Sequence, residues 1–201
     1  MEKVIDISGH QNYELDYDSL KEFGVTGIIV KISEGQSRFE PTFINQINSA
    51  IDHGFKVGIY HFSHASNISE ADQEMDFLIS LIQEYLNGQT PELGIWIDVE
   101  SDSMTSESYD ITDTVLHMIY RLNELGLFAG IYSYYSWLSK ESESRINIDI
   151  IPSYIPLWVA QYSSKNDLLL ENPNLNIELW QYTDRALIGN NSYLDVSIKY
   201  K

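Results

Sequence analysis

Short apolar runs alternate along the chain with longer helical stretches, and glycines separate them. A glycine after a helical stretch is an expected stop, because glycine adopts the left-handed conformation at low cost. The β-branched and aromatic run that follows each stop favours a strand. The stops are Gly24, Gly54 and Gly126, and the runs after them open at Gly27, Gly58 and Gly130. Helix, stop and strand in repetition are typical of βα units on a parallel sheet.

The pattern predicts eight strands, near residues 3–8, 27–33, 56–62, 94–100, 128–133, 156–162, 177–183 and 193–199. Helices are predicted between the first five strands, near 17–23, 41–53, 69–86 and 109–125. This order indicates an α/β barrel of the TIM kind, although 201 residues is short for one. Only Asp184–Ser192 separates the last two strands, and a parallel crossover needs about a dozen residues. We therefore predict one domain over 1–201, a TIM-like (β/α)5(β)3 barrel with an antiparallel last strand.

Two acidic residues share one face of the predicted strand 94–100. Side chains alternate along a strand, so Trp96, Asp98 and Glu100 face one way and the aliphatic residues between them face the other. The aliphatic face must meet the helices, which points both acids into the barrel at the strand end where barrel enzymes place their active sites. Two residues along a strand span about 6.6 Å, within reach of paired-carboxylate glycoside chemistry. Carboxylates this close should separate their pKa values and leave one protonated as a general acid.

The first, second and last strands bring further charged residues toward the same mouth. Alternation points Asp6 inward from the first strand, and Asp195 begins an antiparallel last strand at the mouth. The pattern alone leaves open whether these two acids serve chemistry or a structural hydrogen bond. Lys31 points inward from the second strand, where a lysine requires a carboxylate partner such as a strand-end acid.

Aromatic residues recur near the predicted strand ends, in a chain with 14 Tyr and 4 Trp. Aromatic faces stack on sugar rings, and phenol and indole groups supply hydrogen bonds. Core packing is the alternative, and alternation assigns it to about half of these residues. The candidate substrate-binding aromatics are Tyr60, Tyr132, Trp158 and Trp180.

Composition narrows the possible partners. Twelve Lys and Arg against 30 Asp and Glu give a net charge of −18, which repels nucleic acid and anionic lipid headgroups. No apolar run approaches the roughly 20 residues that span a bilayer, and no secretory signal is evident at the N-terminus. The absence of cysteine excludes disulfides and thiol catalysis. Only His61 and His64 have a spacing that suggests metal ligation, and neither a metal nor a cofactor is predicted.

Eight short motifs occur in order along nearly the whole chain. They are Asp6-Ile-Ser8-x-x-Gln11, Lys31-x-Ser-Glu34-Gly35, Gly58-x-Tyr60-His61-Phe62, Asp98-Val-Glu100, Gly130-Ile-Tyr132, Leu157-Trp158-x-Ala160-Gln161-Tyr162, Trp180-Gln181-Tyr182-Thr183 and Leu194-Asp195. Each is a weak signal alone, but together they resemble the family 25 glycoside hydrolases, N-acetylmuramidases of the phage endolysin and Chalaropsis lysozyme type. The second motif departs slightly, because the family more often has Thr before the Glu.

The resemblance implies a flattened (β/α)5(β)3 barrel that hydrolyses the β-1,4 bond between N-acetylmuramic acid and N-acetylglucosamine in bacterial peptidoglycan. By position, Glu100 matches the general acid. Asp98 matches a residue that stabilises the 2-acetamido group or the developing positive charge. The further acids and the substrate-lining tyrosines of the family match Asp6, Asp195, Tyr60 and Tyr132. Whether the acetamido group, Asp98 or water attacks the anomeric carbon stays open.

The partner implied is the bacterial cell wall, reached outside the cell or during host lysis by a phage enzyme, with a separate or removed wall-binding domain as an option. One alternative is a chitinase-like hydrolase, since those barrels also end a strand in Asp-x-Glu. They usually carry another Asp two residues earlier, where this chain has Trp96. A second alternative is a wall-binding module that has lost catalysis, and retention of both Asp98 and Glu100 argues against it.

Overall fold

A closed barrel of eight strands forms the centre of the molecule in the computed structural model, which describes residues 2–11 and 14–200. The strands are β1 (Glu2–Ile7), β2 (Val25–Glu34), β3 (Arg38–Phe39), β4 (Lys56–Phe62), β5 (Ile95–Asp98), β6 (Ala129–Tyr134), β7 (Leu157–Ala160), β8 (Ile177–Ala186) and β9 (Leu194–Lys199). Their order is β1-β9-β8-β7-β6-β5-β4-β2, and pairing of β1 with β2 closes the barrel. The short β3, which was not predicted, pairs with β2 outside this ring. The predicted α/β barrel is confirmed.

Helices cover the outside of the barrel. They are α1 (Tyr17–Phe23), α2 (Phe43–Asp52), α3 (Ile68–Leu86), α4 (Thr112–Glu124), α5 (Tyr135–Leu138) and α6 (Asp167–Glu171). The first four match the predicted helices, and the two short ones were not predicted. The predicted stops Gly24, Gly54 and Gly126 have φ of 90°, 79° and 74°, so each adopts the left-handed conformation that ends a helix. Within the described ranges, no helix combines the length and the apolar character needed to cross a membrane.

The final strand closes the barrel in the predicted direction. β9 runs antiparallel to both β8 and β1, whereas the neighbouring pairs from β1 through β8 in the ring are parallel. The residues between β8 and β9 are too few to carry the chain back across the barrel. The start of β9 therefore lies at the end of the barrel where the parallel strands finish.

Alternating side chains divide the core into two layers. The residues between sheet and helices form the larger layer, and Ile95, Ile97 and Val99 belong to it. Val4, Ile29, Leu93, Trp96, Tyr132, Trp158, Ala160 and Leu179 fill the barrel interior. Gly130 makes room for Trp96, since a Cβ there would lie 2.5 Å from the indole ring. These side chains pack the lower interior, and the C-terminal mouth above them stays open.

Candidate active site

A cavity of about 140 Å³ opens at the C-terminal mouth of the barrel. Its lining residues are Asp6, Tyr60, Asp98, Glu100, Tyr132, Tyr134, Trp158, Tyr162, Gln181 and Asp195. All four predicted acids and three of the four predicted aromatics are therefore in one place. The exception is Trp180, and Lys31 lines an adjoining pocket of about 620 Å³.

Asp98 and Glu100 lie at the end of β5, as the alternation predicts. The regular strand stops at Asp98, but Val99 N–H still donates to the Tyr132 carbonyl at 2.9 Å, so Glu100 emerges directly at the mouth. Asp98 is 5% exposed. No described residue donates a hydrogen bond to Asp98 Oδ1 or Glu100 Oε2, although both atoms are buried. Such unpartnered oxygens are uncommon in native interiors and are available to a ligand.

Burial raises the pKa of both carboxyl groups. For Asp98, desolvation raises the pKa well above 3.8, and repulsion from Glu100 raises it further. Desolvation also raises the pKa of Glu100, which the Tyr134 hydroxyl, the Lys31 charge and the Tyr132 hydroxyl oppose. Two neighbouring acids that both resist ionisation hold a proton between them to higher pH than an isolated carboxyl group would. The site can therefore offer a proton beside a carboxylate.

Asp6 and Asp195 form a second acidic pair on the opposite wall. They face each other directly in the antiparallel pairing of β1 with β9. Burial and then the Asp195 charge raise the pKa of Asp6 well above its ordinary value. Burial, Asp184 and Glu100 raise the pKa of Asp195 to about 6. This pair also resists full ionisation, because like charges held this close repel.

Gln181 connects the two walls and was not among the predicted site residues. Its Nε2 donates to both carboxylate oxygens of Asp6, at 3.1 and 3.0 Å. Its Oε1 accepts hydrogen bonds from Tyr132 at 3.0 Å and Tyr162 at 3.2 Å. The signal that could have found it is alternation, since Leu179 of the same strand points into the barrel.

Lys31 is held beside the mouth by an acid of its own strand. Lys31 Nζ lies 2.6 Å from Glu34 Oε2, and Arg38 and His64 contact the same carboxylate at 3.3 and 3.2 Å. Although burial opposes it, these partners lower the pKa of Glu34 to about 2. The Lys31 charge also lowers the pKa of Asp98 and Glu100. Lys31 therefore acts on the site through its charge.

Trp180 and the two spaced histidines lie outside the cavity. Trp180 follows Leu179 on β8 and faces away from the barrel interior, where its indole N–H donates to the Gln161 carbonyl at 2.9 Å. His61 contacts Ser33 and Glu74, while the His64 ring contacts Glu34 and two serines. Across residues 2–11 and 14–200, no three His, Cys, Asp or Glu side chains are grouped so as to hold a metal ion.

A mostly parallel barrel whose C-terminal mouth carries paired carboxylates and tyrosines is typical of a barrel glycoside hydrolase. The model of the Glycosyl hydrolases family 25 matches residues 5–190. The chain belongs to this family.

Relatives and solved structures agree with this assignment. An autolytic lysozyme of Clostridium acetobutylicum is 26% identical over 191 residues, which cover 93% of this chain and 52% of that protein. The lysozyme of Streptococcus phage Cp-9 is 25% identical over 195 residues, covering 95% and 53%. The chain thus spans about half the length of these relatives.

The modular autolysin LytC from Streptococcus pneumoniae superposes with a TM-score of 0.80 at 26% identity, covering 99% of this chain and 46% of that one. LytC has also been solved in complex with a synthetic peptidoglycan ligand, with the same TM-score and coverage. A family 25 glycosyl hydrolase from Bacillus anthracis has a TM-score of 0.77 at 19% identity, over 100% of this chain and 89% of that chain, and shares the fold.

Proposed function

We propose that this chain is a lysozyme of the muramidase type, which hydrolyses the β-1,4 bond from N-acetylmuramic acid to N-acetylglucosamine in peptidoglycan. Glu100 donates a proton to the glycosidic oxygen as the bond to the anomeric carbon breaks, and the electron pair stays on the departing oxygen. Asp98 stabilises the 2-acetamido group or the positive charge that develops at the anomeric carbon. Water finally supplies the hydroxyl of the new reducing end, and its remaining proton returns to Glu100.

One observation carries this proposal: the buried Asp98 and Glu100 face an open cavity with oxygens that no described residue satisfies. Their raised pKa values support proton donation, since a general acid must keep its proton until the transition state. Glu100 is the more exposed of the two and is the better placed to meet a leaving oxygen in the cleft. Asp98 lies deeper, where an ionised form would be worth most to a cationic transition state.

The remaining site residues serve the substrate. Tyr60, Tyr132 and Trp158 line the wall against which sugar rings would pack, and aromatic faces favour that contact. Lys31 contributes a positive charge beside the acids. Asp6 and Asp195 complete the acidic rim on the opposite wall of the cavity.

The wider setting belongs to the same proposal. The named relatives are lysozymes and autolysins, and LytC was solved with a peptidoglycan ligand. We infer that residues 1–201 act as one catalytic domain on the bacterial cell wall, outside the cell or during phage lysis. Nucleic acid and membranes are not expected partners of a chain with a net charge of −18. A separate wall-binding domain would supply the attraction to the wall that this charge denies.

Mass spectrometry of digested peptidoglycan tests the proposal. Muramic acid at the new reducing end is expected from the wild type. Glu100→Gln should lower the rate by about 100- to 10,000-fold, the usual contribution of a general acid. N-acetylglucosamine at the new reducing end, or equal cleavage of chitin oligomers, would overturn the muramidase assignment. Undiminished clearing of walls by Glu100→Gln would overturn the catalytic role.

A further inference from the structure

Gln181 is a buried amide that joins the Asp6 wall of the cavity to the Glu100 wall. It is 2% exposed, and the packed barrel interior lies beneath it. Its four polar contacts, two to Asp6 and one each to Tyr132 and Tyr162, use the amide completely. A side chain so surrounded cannot turn without breaking several hydrogen bonds at once.

The chemistry of the partners decides the direction of every bond in this group. Asp6 keeps an accepting oxygen whether or not it carries a proton, and both of its oxygens lie within reach of the Gln181 NH2, so the amide oxygen faces the tyrosines. An amide oxygen has no proton to give, so Tyr132 is the donor in its 3.0 Å bond to Gln181. A phenol has a single proton. Gln181 therefore competes with any other acceptor for the proton of Tyr132.

This competition matters because Tyr132 is also a neighbour of Glu100. A hydrogen bond from the Tyr132 hydroxyl stabilises the Glu100 carboxylate and lowers the pKa of Glu100. The bond to Gln181 draws on the same proton, so it weakens the bond to Glu100 and limits this lowering. The protonated form of Glu100 is thereby favoured.

We propose that Gln181 is a positioning residue that holds the Tyr132 hydroxyl proton away from Glu100, so that Glu100 keeps its own proton for the leaving oxygen. The inference rests on the proposed role of Glu100. It is separate from that role, because Gln181 acts through Tyr132 and through no reacting atom.

Other charged groups face these acids and must be accounted for. The groups that interact with Glu100 or Asp6 by charge or hydrogen bonding are Lys31, Tyr60, Asp98, Tyr132, Tyr134, Tyr162, Asp195 and Gln181, and the two acids also act on each other. Replacement of Gln181 leaves every one of the charged groups in the chain. It removes the donors to Asp6 and the acceptor shared by Tyr132 and Tyr162.

The test is Gln181→Met, which keeps the length of the side chain and removes the amide. Carboxyl ¹³C NMR titration, with signals assigned through Glu100→Gln and Asp6→Asn, should show the pKa of Glu100 lower by about one pH unit. The pKa of Asp6 should rise, since it loses the Gln181 donor that lowers it. The basic limb of the kcat/KM profile should move to lower pH with Glu100, because that limb reports the acid of the free enzyme.

The same substitution in a Tyr132→Phe variant separates the effect of the Tyr132 hydroxyl from a general disturbance of the site. In Tyr132→Phe the hydroxyl is gone, so adding Gln181→Met should still raise the pKa of Asp6 but change that of Glu100 much less. The small change that persists measures the charge effect of Asp6 alone. Gln161→Met is the matched control, because that amide bonds to Asp167 outside the cavity and should leave both pKa values unchanged.

Equal shifts of Glu100 in both backgrounds, or no shift in either, would overturn the role of Gln181. These titrations need no substrate. If they refute the role of Gln181, the muramidase proposal still stands. If the wild type releases no muramic acid, the muramidase proposal fails and the titration result is unaffected.

Discussion

Glu74 of α3 offers a sharp test of how the mouth is held in shape. Its side chain is 1% exposed and takes three donors: the Ser63 hydroxyl at 2.6 Å, the His64 N–H at 2.9 Å and the His61 ring at 3.2 Å. These bonds fasten the end of β4 and the following loop to the helix. His64 in turn contacts Glu34, the partner of Lys31. Glu74→Ala should therefore destabilise the fold and loosen this side of the mouth.

The size of the effect follows from the three donors. A hydrogen bond to a charged group contributes about 1.5–3 kcal/mol, and donors left together in one cavity do not add fully. We expect Glu74→Ala to lose about 3–5 kcal/mol in the free energy of unfolding. For a chain of this length that corresponds to a Tm lower by roughly 6–20 °C. Glu74→Gln keeps the shape and one acceptor, and should lose less than Glu74→Ala.

Urea and thermal unfolding at pH 7, followed by circular dichroism, measure these losses. Asp76→Ala is the matched control, because Asp76 lies on the same helix but its side chain is 70% exposed and pairs with Arg121 at the surface. Exposed ion pairs contribute little. A loss for Glu74→Ala no greater than that for Asp76→Ala would refute the reasoning.

Three further results are expected. Lys31→Met removes a charge that lowers the pKa of Asp98 and Glu100, so the basic limb of the kcat/KM profile should move up by about one pH unit; an unchanged limb contradicts this. Glu100→Gln should lose less activity on an aryl glycoside with a good leaving group than on peptidoglycan, because such a leaving group needs no proton, whereas Asp98→Asn should lose similar activity on both; equal behaviour of the two variants would exclude the division of roles. The raised pKa of Asp195, about 6 against 3.8, means that its protonated form stabilises the fold below pH 3.8 and that this stability is lost as pH rises through 6; Tm should be higher at pH 5 than at pH 7.5, and Asp195→Asn, measured by calorimetry, should narrow that difference unless the assignment is mistaken.

The sequence by itself determined the features that depend on neighbours along the chain. Strand alternation is local, so the inward direction of Asp6, Asp98 and Glu100 could be read directly, together with the order of helices and strands. The short connection Asp184–Ser192 determined the antiparallel last strand, because chain length limits how far a connection reaches. That direction brings Asp195 opposite Asp6, as the structure has it.

Only the tertiary structure decided which side chains touch. Gln181 meets Asp6 across 175 positions because barrel closure aligns β8, β9 and β1, and no local pattern encodes that alignment. Trp180 was selected for its nearness to a strand end, yet the inward Leu179 before it turns its indole to the outside. The inward direction of the acids could be predicted because side chains alternate along a strand. The hydrogen bonds that link the acids through Gln181 and Tyr132 form only once the barrel has closed.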